Sequence, residues 1–461
     1  MSVLENSARS ARCGRRTSFI GRASGCGPEC ADRFEADASH ADRPAAALAA
    51  RARRRVAIAA LGLAAACGDT ATTPDMTGAG PLRTLALEAG LLPLPPGPVR
   101  PIDNPFLAER VDLGHRLFFD PILSGPRDVA CSTCHLPRFG FADGRQFPSG
   151  AGGFGLGPDR TDPQPAPLRP MPRNSPTIFN LGAYGRFGVA ASTNAMMFWS
   201  GGAFGIEDQV LLPITADNEL RGLAYPKVVA IDSVLGRLRR IPEYVARFES
   251  AFPELAAVPG SGAERLVKSQ TLRLALAAYV RELVTPRSPL DDFLLGDDGA
   301  LSNAQRQGLA LFIGAAGCVQ CHRGPVLSDF QLHITGVRQM GLGRDTTPGD
   351  DLGWGEHGGT PYSFRTAPLR QVALTAPYFH AGTAATLAAV IQFKGEGRSE
   401  HPKVPNGDLD PAVQPLSLAE PEVNAIIAFL HALTDTLSVK APLFDAPASV
   451  PSGLPIPREE P

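Results

Sequence analysis

The chain has 461 residues, of which 44% are hydrophobic and 20% are charged, and its formal net charge is −2. This is an ordinary globular composition, and the near-neutral charge argues against a nucleic-acid partner and against adsorption to a membrane surface. The length predicts about two or three domains, while the 48 glycines and 44 prolines predict short helices joined by long loops.

The first 80 residues read as an export region followed by a tether. Residues 51–67, RARRRVAIAALGLAAAC, place a basic stretch before a short apolar run that ends in small residues and Cys67. This layout is typical of an export signal, and the apolar run is too short to span a bilayer. The end of the run resembles a lipoprotein cleavage box, although Ala64 stands where such boxes usually carry Leu. We expect a periplasmic protein, with a lipid anchor at Cys67 as its only contact with the membrane.

Two copies of the pattern C-x-x-C-H follow, at residues 131–135 and 318–322. Each copy is preceded by the pattern G-x-x-L-F, which begins at Gly114 in the first copy and at Gly308 in the second. Before the second copy, Ser302 and Gln305 have the spacing of a capping box that opens a helix. Each copy is followed by an amphipathic helical pattern, over residues 263–283 and 417–433.

This duplication predicts a mainly α fold made of two cytochrome c-like haem domains with long loops and little β structure. The predicted N-terminal domain covers residues 81–285, the C-terminal domain covers residues 286–445, and residues 446–461 form a tail.

The pattern C-x-x-C-H is the attachment site of c-type haem, in which both thiols bind the haem covalently and the histidine ligates the iron. A redox-active cysteine pair and half of a zinc site are the alternatives, but the first prefers a strand-to-helix setting and the second would need both pairs to converge. The prediction is therefore two covalently bound haems. The attachment residues are Cys131, Cys134 and His135, and Cys318, Cys321 and His322.

Several longer motifs resemble the bacterial di-haem cytochrome c peroxidase family, which includes the MauG-like oxidases. They are LGHRLFFDPILS, RNSPTIFN, EDQVLLPITADNEL, SPLDDFLLGDDGALS, FRTAPLRQVALTAPYFHAG and IIAFLHALT, and they extend over about residues 100–440. The resemblance implies that peroxide reacts at the N-terminal haem and that electrons enter at the C-terminal haem. It also implies a calcium ion between the domains, held by Asn174 and by the carbonyl groups of Thr375 and Pro377.

The resemblance further implies a peroxide site within one segment, residues 199–219. Glu219 would move a proton between the two oxygen atoms, Gln209 would orient peroxide, Pro213 would close the pocket and Trp199 would relay electrons between the haems. No histidine occurs between His135 and His322, so the distal histidine of many family members is absent. An open iron is therefore expected at the first haem, with Met171, Met196 and Met197 as weak rival ligands.

In the family, the second haem takes a sixth ligand fourteen residues after the histidine of PYFHAG. Counting from His380 gives Lys394, where peroxidases carry Met and MauG-like enzymes carry Tyr. A lysine ligates iron only as the neutral amine. The remaining candidates are Met340, His333, His357 and His401.

Three functions stay open at this point. The first is a peroxidase that reduces hydrogen peroxide with electrons from a small cytochrome c or cupredoxin. The second is a MauG-like oxidase that acts on Trp or Tyr of a partner protein, and the third is a di-haem electron carrier without catalysis. Members of the family often form homodimers, which is a further expectation.

Overall fold

The computed structural model describes residues 78–162, 171–183, 195–260, 262–340 and 350–458. The predicted export signal, the anchor residue Cys67 and most of the tether lie outside these residues. Within them the protein is mainly helical, which confirms the predicted fold class. The helices are α1 Ala79–Glu88, α2 Ala108–Phe119, α3 Cys131–Cys134, α4 Ile206–Gln209, α5 Leu212–Thr215, α6 Ala230–Leu238, α7 Pro242–Ala251, α8 Pro253–Ala256, α9 Ala263–Leu266, α10 Ser269–Arg281, α11 Pro289–Leu294, α12 Asn303–Ile313, α13 Leu387–Glu396 and α14 Glu420–His431.

The β structure of the described residues consists of two small antiparallel pairs. Strand β1 (Met196–Met197) pairs with β2 (Ala203–Phe204), and strand β3 (Leu332–His333) pairs with β4 (Phe364–Arg365). No helix in the described ranges is both long enough and apolar enough to cross a bilayer.

The duplicated G-x-x-L-F motif marks two equivalent helix crossings. Gly114 of α2 packs on α10, where an added Cβ would lie 2.0 Å from the carbonyl oxygen of Ala275. Gly308 of α12 packs on α14 in the same way, with 1.9 Å to the carbonyl oxygen of Ala425. Glycine is needed at both crossings because no side chain fits between the two backbones. The sequence repeat therefore corresponds to a repeated three-dimensional unit.

Two hydrophobic cores are built around these crossings. The first contains buried residues of α2, α6, α7 and α10, and the second contains buried residues of α1, α11, α12, α13 and α14. The first and last described segments each pack in the core of the other half. Leu82 belongs to the second core, whereas Phe444 and Val450 belong to the first. The division at residues 285 and 286 stays a prediction, and part of the predicted tail lies inside a core.

The two helix predictions that depend on local signals have different outcomes. Ser302 and Gln305 form the predicted capping box, with Ser302 N bonded to Gln305 Oε1 at 2.8 Å and Gln305 N to Ser302 Oγ at 3.3 Å. The single helix predicted over residues 263–283 is wrong, because α9 ends at Leu266 and α10 begins at Ser269. The backbone N–H of Lys268 donates to Thr271 Oγ1 at 3.1 Å, and this bond caps a new helix.

Candidate functional site

The first C-x-x-C-H motif is a single helical turn that holds its histidine in a fixed orientation. The backbone N–H of His135 donates to the carbonyl of Cys131 at 3.1 Å. His135 Nδ1 donates to the carbonyl of Phe141 at 2.8 Å, so the hydrogen lies on Nδ1 and the lone pair of Nε2 is free for a metal. Phe141 has a φ of 56°, an unfavourable left-handed conformation for an aromatic residue, and this conformation turns its carbonyl toward the imidazole.

The second motif repeats this construction. The backbone N–H of His322 donates to the carbonyl of Cys318 at 2.9 Å, and His322 Nδ1 donates to the carbonyl of Leu327 at 3.0 Å. Leu327 has a φ of 55°, almost the value of Phe141. In each unit, one residue with a strained backbone therefore orients one imidazole.

Desolvation affects the thiols of both motifs. None of the four described cysteines forms a disulfide. Burial, followed by the negative charge of Glu219, raises the pKa of Cys131 to about 12, and burial raises the pKa of Cys318 to about 11. At each motif, two thiols that form no disulfide lie beside an imidazole whose Nδ1 is bonded to a backbone carbonyl, and this arrangement fits covalent haem attachment.

A cavity of about 330 Å³ opens beside the first motif. It is lined by all three predicted attachment residues and by all four residues predicted for the peroxide site. These are Cys131, Cys134 and His135, and Trp199, Gln209, Pro213 and Glu219. Met171 and Met197, two of the rival ligands, also line this cavity, while Met196 pairs with Phe204.

Glu219 lies in a wide, π-type turn, Asp217–Arg221, whose backbone leaves helical geometry at Glu219 (φ −112°, ψ −107°). Two glycines allow neighbouring segments to pack on this turn. A Cβ on Gly150 would lie 2.2 Å from the carbonyl oxygen of Asn218, and a Cβ on Gly125 would lie 1.9 Å from that of Arg221. The backbone N–H of Ala151 also donates to the carbonyl of Glu219 at 2.8 Å. These contacts fix the backbone position of Glu219, whose side chain lines the cavity.

Gln209 ends α4, and a buried ion pair holds that short helix. Glu207 Oε1 accepts hydrogen bonds from Arg281 Nη2 of α10 at 2.6 Å and from Asn104 Nδ2 at 3.1 Å. Arg281 has an exposed fraction of only 1%. Because a broken ion pair would leave a buried charge, this contact strongly favours one position of α4 and therefore of Gln209.

Trp199 is held by segments from both halves of the chain. Its Nε1 donates to the carbonyl of Asn174 at 2.8 Å, and its own carbonyl accepts the backbone N–H of Arg365 at 2.8 Å. Arg365 Nε also donates to the carbonyl of Phe198 at 2.9 Å. The indole thus lies in the wall of the first cavity and is directly tied to β4 of the second half.

Sequence reasoning missed the charged network beside Trp199. Arg173 donates to both carboxylate oxygens of buried Asp351 at 2.6 and 2.7 Å, to Glu356 at 2.9 Å and to Ser200 Oγ at 2.7 Å. His357, a rival ligand for the second haem, bonds the same Ser200 through Nε2 at 3.2 Å. The sequence feature that came closest to predicting this network is the position of Arg173, directly before Asn174 in the RNSP motif.

The three residues predicted to hold calcium lie on two connected segments. The backbone N–H of Asn174 donates to the carbonyl of His380 at 2.8 Å, which joins its segment to the loop that carries Thr375 and Pro377. Asn174 Nδ2 donates to the carbonyl of Arg145 at 2.7 Å. Within the described residues, neither the side-chain oxygen of Asn174 nor the carbonyl of Thr375 or Pro377 accepts a hydrogen bond. An amide oxygen and carbonyl groups without donors fit a hard cation such as calcium.

Around the second motif, Lys394 lies in the last turn of α13, with Nζ facing the rings of Phe379 and Phe393. A separate group of potential metal ligands consists of Cys321, Asp329 and His333, whose ligand atoms lie within 4.8 Å of one another. The haem attachment predicted at the second motif would convert the sulfur of Cys321 to a thioether and so remove one of the three potential ligands.

The comparisons with known proteins agree with this geometry. The family model described as di-haem cytochrome c peroxidase matches residues 108–299. Methylamine utilization protein MauG of Methylorubrum extorquens is 32% identical over 338 residues, which cover 72% of this chain and 80% of that protein. Cytochrome c551 peroxidase of Pseudomonas aeruginosa is 34% identical over 341 residues, with coverage of 72% and 80%.

Among solved structures, a MauG-like protein associated with microbial copper homeostasis superposes with a TM-score of 0.62 at 27% identity. The match covers 77% of this chain and 97% of that one. Each of these three matches covers about three quarters of the chain. The chain belongs to the di-haem cytochrome c peroxidase family.

Proposed function

We propose that this protein is a periplasmic di-haem peroxidase that reduces hydrogen peroxide to water. The observation that supports it best is one cavity that contains both the first C-x-x-C-H motif and the side chains of Trp199, Gln209, Pro213 and Glu219. The reaction consumes two electrons and two protons for each peroxide and releases two water molecules. A haem bound at His135 would supply the iron at which the bond between the two oxygens breaks.

The side chains of the cavity would supply the proton and the orientation. The Glu219 carboxylate takes the proton from one oxygen of peroxide and returns it to the other, which then leaves as water. The Gln209 amide orients the bound peroxide by hydrogen bonding, and Pro213 narrows the cavity because its ring fills space without offering a donor. Trp199 would relay electrons from the second site, and its backbone bond to Arg365 of the second half supports this role.

The remaining partners follow from the same proposal. Electrons enter at the haem held by Cys318, Cys321 and His322, from a small cytochrome c or a cupredoxin. Calcium is bound by Asn174, Thr375 and Pro377 and stabilises the contact between their two segments. Cys67 anchors the protein in the periplasm through a lipid, and two chains associate as a homodimer.

Exchange of Glu219 for Gln tests the proton-transfer role. The amide has nearly the same shape but does not accept and return a proton, so Glu219→Gln is expected to slow peroxide turnover by about two to four orders of magnitude. Turnover is measured with a reduced small cytochrome in the holoprotein. Glu249→Gln, which changes an exposed carboxylate on α7, is the matched control and leaves turnover unchanged. Equal rates for Glu219→Gln and the wild type would remove Glu219 from the mechanism.

A second candidate function is oxidation of Trp or Tyr on a partner protein, which the likeness to MauG favours. Both catalytic functions require one iron with a free coordination position, whereas an electron carrier holds two six-coordinate irons. Electron paramagnetic resonance of the oxidised holoprotein separates the classes, because one high-spin and one low-spin signal support catalysis and two low-spin signals exclude it. Efficient turnover with a small donor then favours the peroxidase over the oxidase.

A further inference from the structure

Arg365 of β4 places a residue of the second half in the wall of the first cavity. Among the described residues that line this cavity, Arg365 alone lies beyond residue 280 in the chain. Its side chain is buried, and its Cζ lies 5.7 Å from the ring centre of Phe330. Burial of a charged side chain is costly unless specific contacts compensate for the lost hydration. The contacts of Arg365 therefore show what it is held there to do.

These contacts lie on both sides of the Trp199 α-carbon. The side-chain Nε of Arg365 donates to the carbonyl of Phe198 at 2.9 Å, and its backbone N–H donates to the carbonyl of Trp199 at 2.8 Å. The bond from the guanidinium is charge-assisted and therefore stronger than a bond between neutral groups. One residue of the second half thus fixes the two peptide groups from which the indole projects.

The bond to Phe198 acts on a strained backbone. Phe198 has a φ of 61°, which is an unfavourable left-handed conformation for an aromatic residue. Such a conformation persists only while its surroundings fix it. Without the side chain of Arg365, Phe198 is free to return to an ordinary conformation, and the next residue, Trp199, would then change its position in the cavity wall.

The segment of β4 is also bonded to the loop that orients His322, the proposed iron ligand of the second haem. His322 Nδ1 donates to the carbonyl of Leu327 at 3.0 Å. The next residue, Ser328, is buried, and its Oγ donates at 2.8 Å to the carbonyl of Thr366, which directly follows β4. The imidazole of His322 and the backbone of Trp199 are therefore joined by three hydrogen bonds and the covalent bonds between them.

We propose that Arg365 is a positioning residue for electron transfer between the two haem sites. It holds Trp199 in the wall of the first cavity and joins it to the segment that orients His322. The proposal rests on the proposed function, in which Trp199 relays electrons. In this step one electron leaves the second haem, which is oxidised, and reaches the first haem, which is reduced, while no bond breaks and no proton moves. Because electron transfer slows steeply as the gap between the groups grows, displacement of the indole would slow it.

Passage of an electron between the haems is measured without peroxide. A radiolytic pulse adds a limiting amount of electrons to the oxidised holoprotein, and the absorbance of the two haems reports the rate at which the electrons redistribute between them. Arg365→Met removes the donor and the charge and is expected to slow this redistribution severalfold. Arg365→Lys retains a charged donor and is expected to recover most of the wild-type rate. Ser328→Ala, which removes the bond to Thr366, should slow it as well.

Electron paramagnetic resonance of the oxidised holoprotein separates loss of positioning from damage to a haem site. Arg365→Met is expected to keep both wild-type signals, because His135 and His322 retain their own carbonyl partners. Arg398→Met changes an arginine of the second half whose side chain is 62% exposed. It is the matched control and is expected to change neither the rate nor the signals.

An unchanged redistribution rate in Arg365→Met would overturn the proposal. If that variant yields no folded holoprotein, an unchanged rate in Ser328→Ala overturns it instead. An altered signal of either haem in Arg365→Met would also overturn it, because Arg365 would then shape a haem site and not the path between the sites. A wild type that passes electrons between its haems but does not reduce peroxide contradicts the proposed function and leaves the role of Arg365 intact, so the two failures are distinguishable.

Discussion

At the level of single residues, His380 shows how strongly this fold can hold a polar group away from water. Its ring is 5% exposed and stacks on Phe364 with ring centres 3.6 Å apart, while Nε2 donates to Gln339 Oε1 at 3.2 Å. Its carbonyl accepts the backbone N–H of Asn174. The backbone carbonyl of this histidine thus joins the segment of Asn174 to the second half of the chain, and burial favours the neutral form of its imidazole.

This burial predicts a pH dependence of stability. Desolvation lowers the pKa of His380 to about 3 in the folded protein, against about 6.5 in the unfolded chain. Between these values the unfolded chain binds a proton that the folded protein does not, so the free energy of unfolding increases with pH by up to about 1.4 kcal/mol per pH unit and is constant above pH 6.5. Urea titrations of the wild type and His380→Gln at several pH values measure this contribution as the difference between their slopes.

The matched control for this prediction is His431→Gln, which changes an exposed histidine at the end of α14. It is expected to keep the wild-type slope, because folding does not bury this side chain. A slope in His380→Gln as steep as that of the wild type would show that His380 is accessible to protons in the folded protein.

At the level of elements, the stability effects of glycine-to-alanine substitutions can be compared between the two helix crossings and an open helix position. Gly114→Ala and Gly308→Ala each force a methyl group to within 2.0 Å or 1.9 Å of a carbonyl oxygen on the facing helix. The helices would have to move apart, and we expect each substitution to decrease the free energy of unfolding by about 1–3 kcal/mol. Gly236→Ala in α6 meets no atom within 4 Å and should increase stability by about 1 kcal/mol through helix propensity.

Chemical denaturation of the three variants checks this comparison. Similar losses for the two crossings would reflect their shared geometry, since Tyr279 and Phe429 also occupy equivalent positions one turn beyond the contacted carbonyls. If Gly114→Ala were as stable as Gly236→Ala, the crossing of α2 and α10 would have to be looser than the structure shows.

The sequence predicted those features that local spacing determines. Each of these features can be recognised from a few neighbouring residues. They are the two attachment motifs, the capping box of Ser302 and the duplicated glycines. The break between α9 and α10 was missed because Val267 and Lys268 do not interrupt the helical spacing of the apolar residues around them. The bond from Lys268 N–H to Thr271 Oγ1, which caps α10, leaves no periodic pattern in the sequence. The set around Glu219 was predicted only through the family resemblance, since no single residue in it is distinctive alone.

At the scale of the whole molecule, the contacts that the sequence did not predict are those between distant segments. After α14 the chain returns to the first half, where Phe444 packs on Phe141 and Phe179 with ring centres 6.0 and 5.4 Å apart. Tyr279 Oη donates to the carbonyl of Leu443 at 3.2 Å. These pairs are more than 160 residues apart in the chain, and neither spacing nor composition relates them.

This return contact supports the orientation of His135, the proposed iron ligand of the first haem. Phe444 is 3% exposed and packs on the ring of Phe141, the same residue whose carbonyl accepts the hydrogen bond from His135 Nδ1. Phe141 holds a left-handed backbone conformation that persists only while its surroundings fix it. Phe444 therefore helps to hold the residue that orients the His135 imidazole, 309 residues earlier in the chain.

Phe444→Ala tests this long-range support. Truncation of a buried phenylalanine is expected to decrease the free energy of unfolding by about 3–5 kcal/mol. Because Phe141 loses its packing, the paramagnetic signal of the first haem should broaden or shift, while the signal of the second haem, attached beside a different core, should stay unchanged. Leu437→Ala, at a position that is 58% exposed, is the control and should change neither. Equal changes in both haem signals would contradict this prediction. They would mean that the return segment stabilises the two cores equally and does not specifically support the first site.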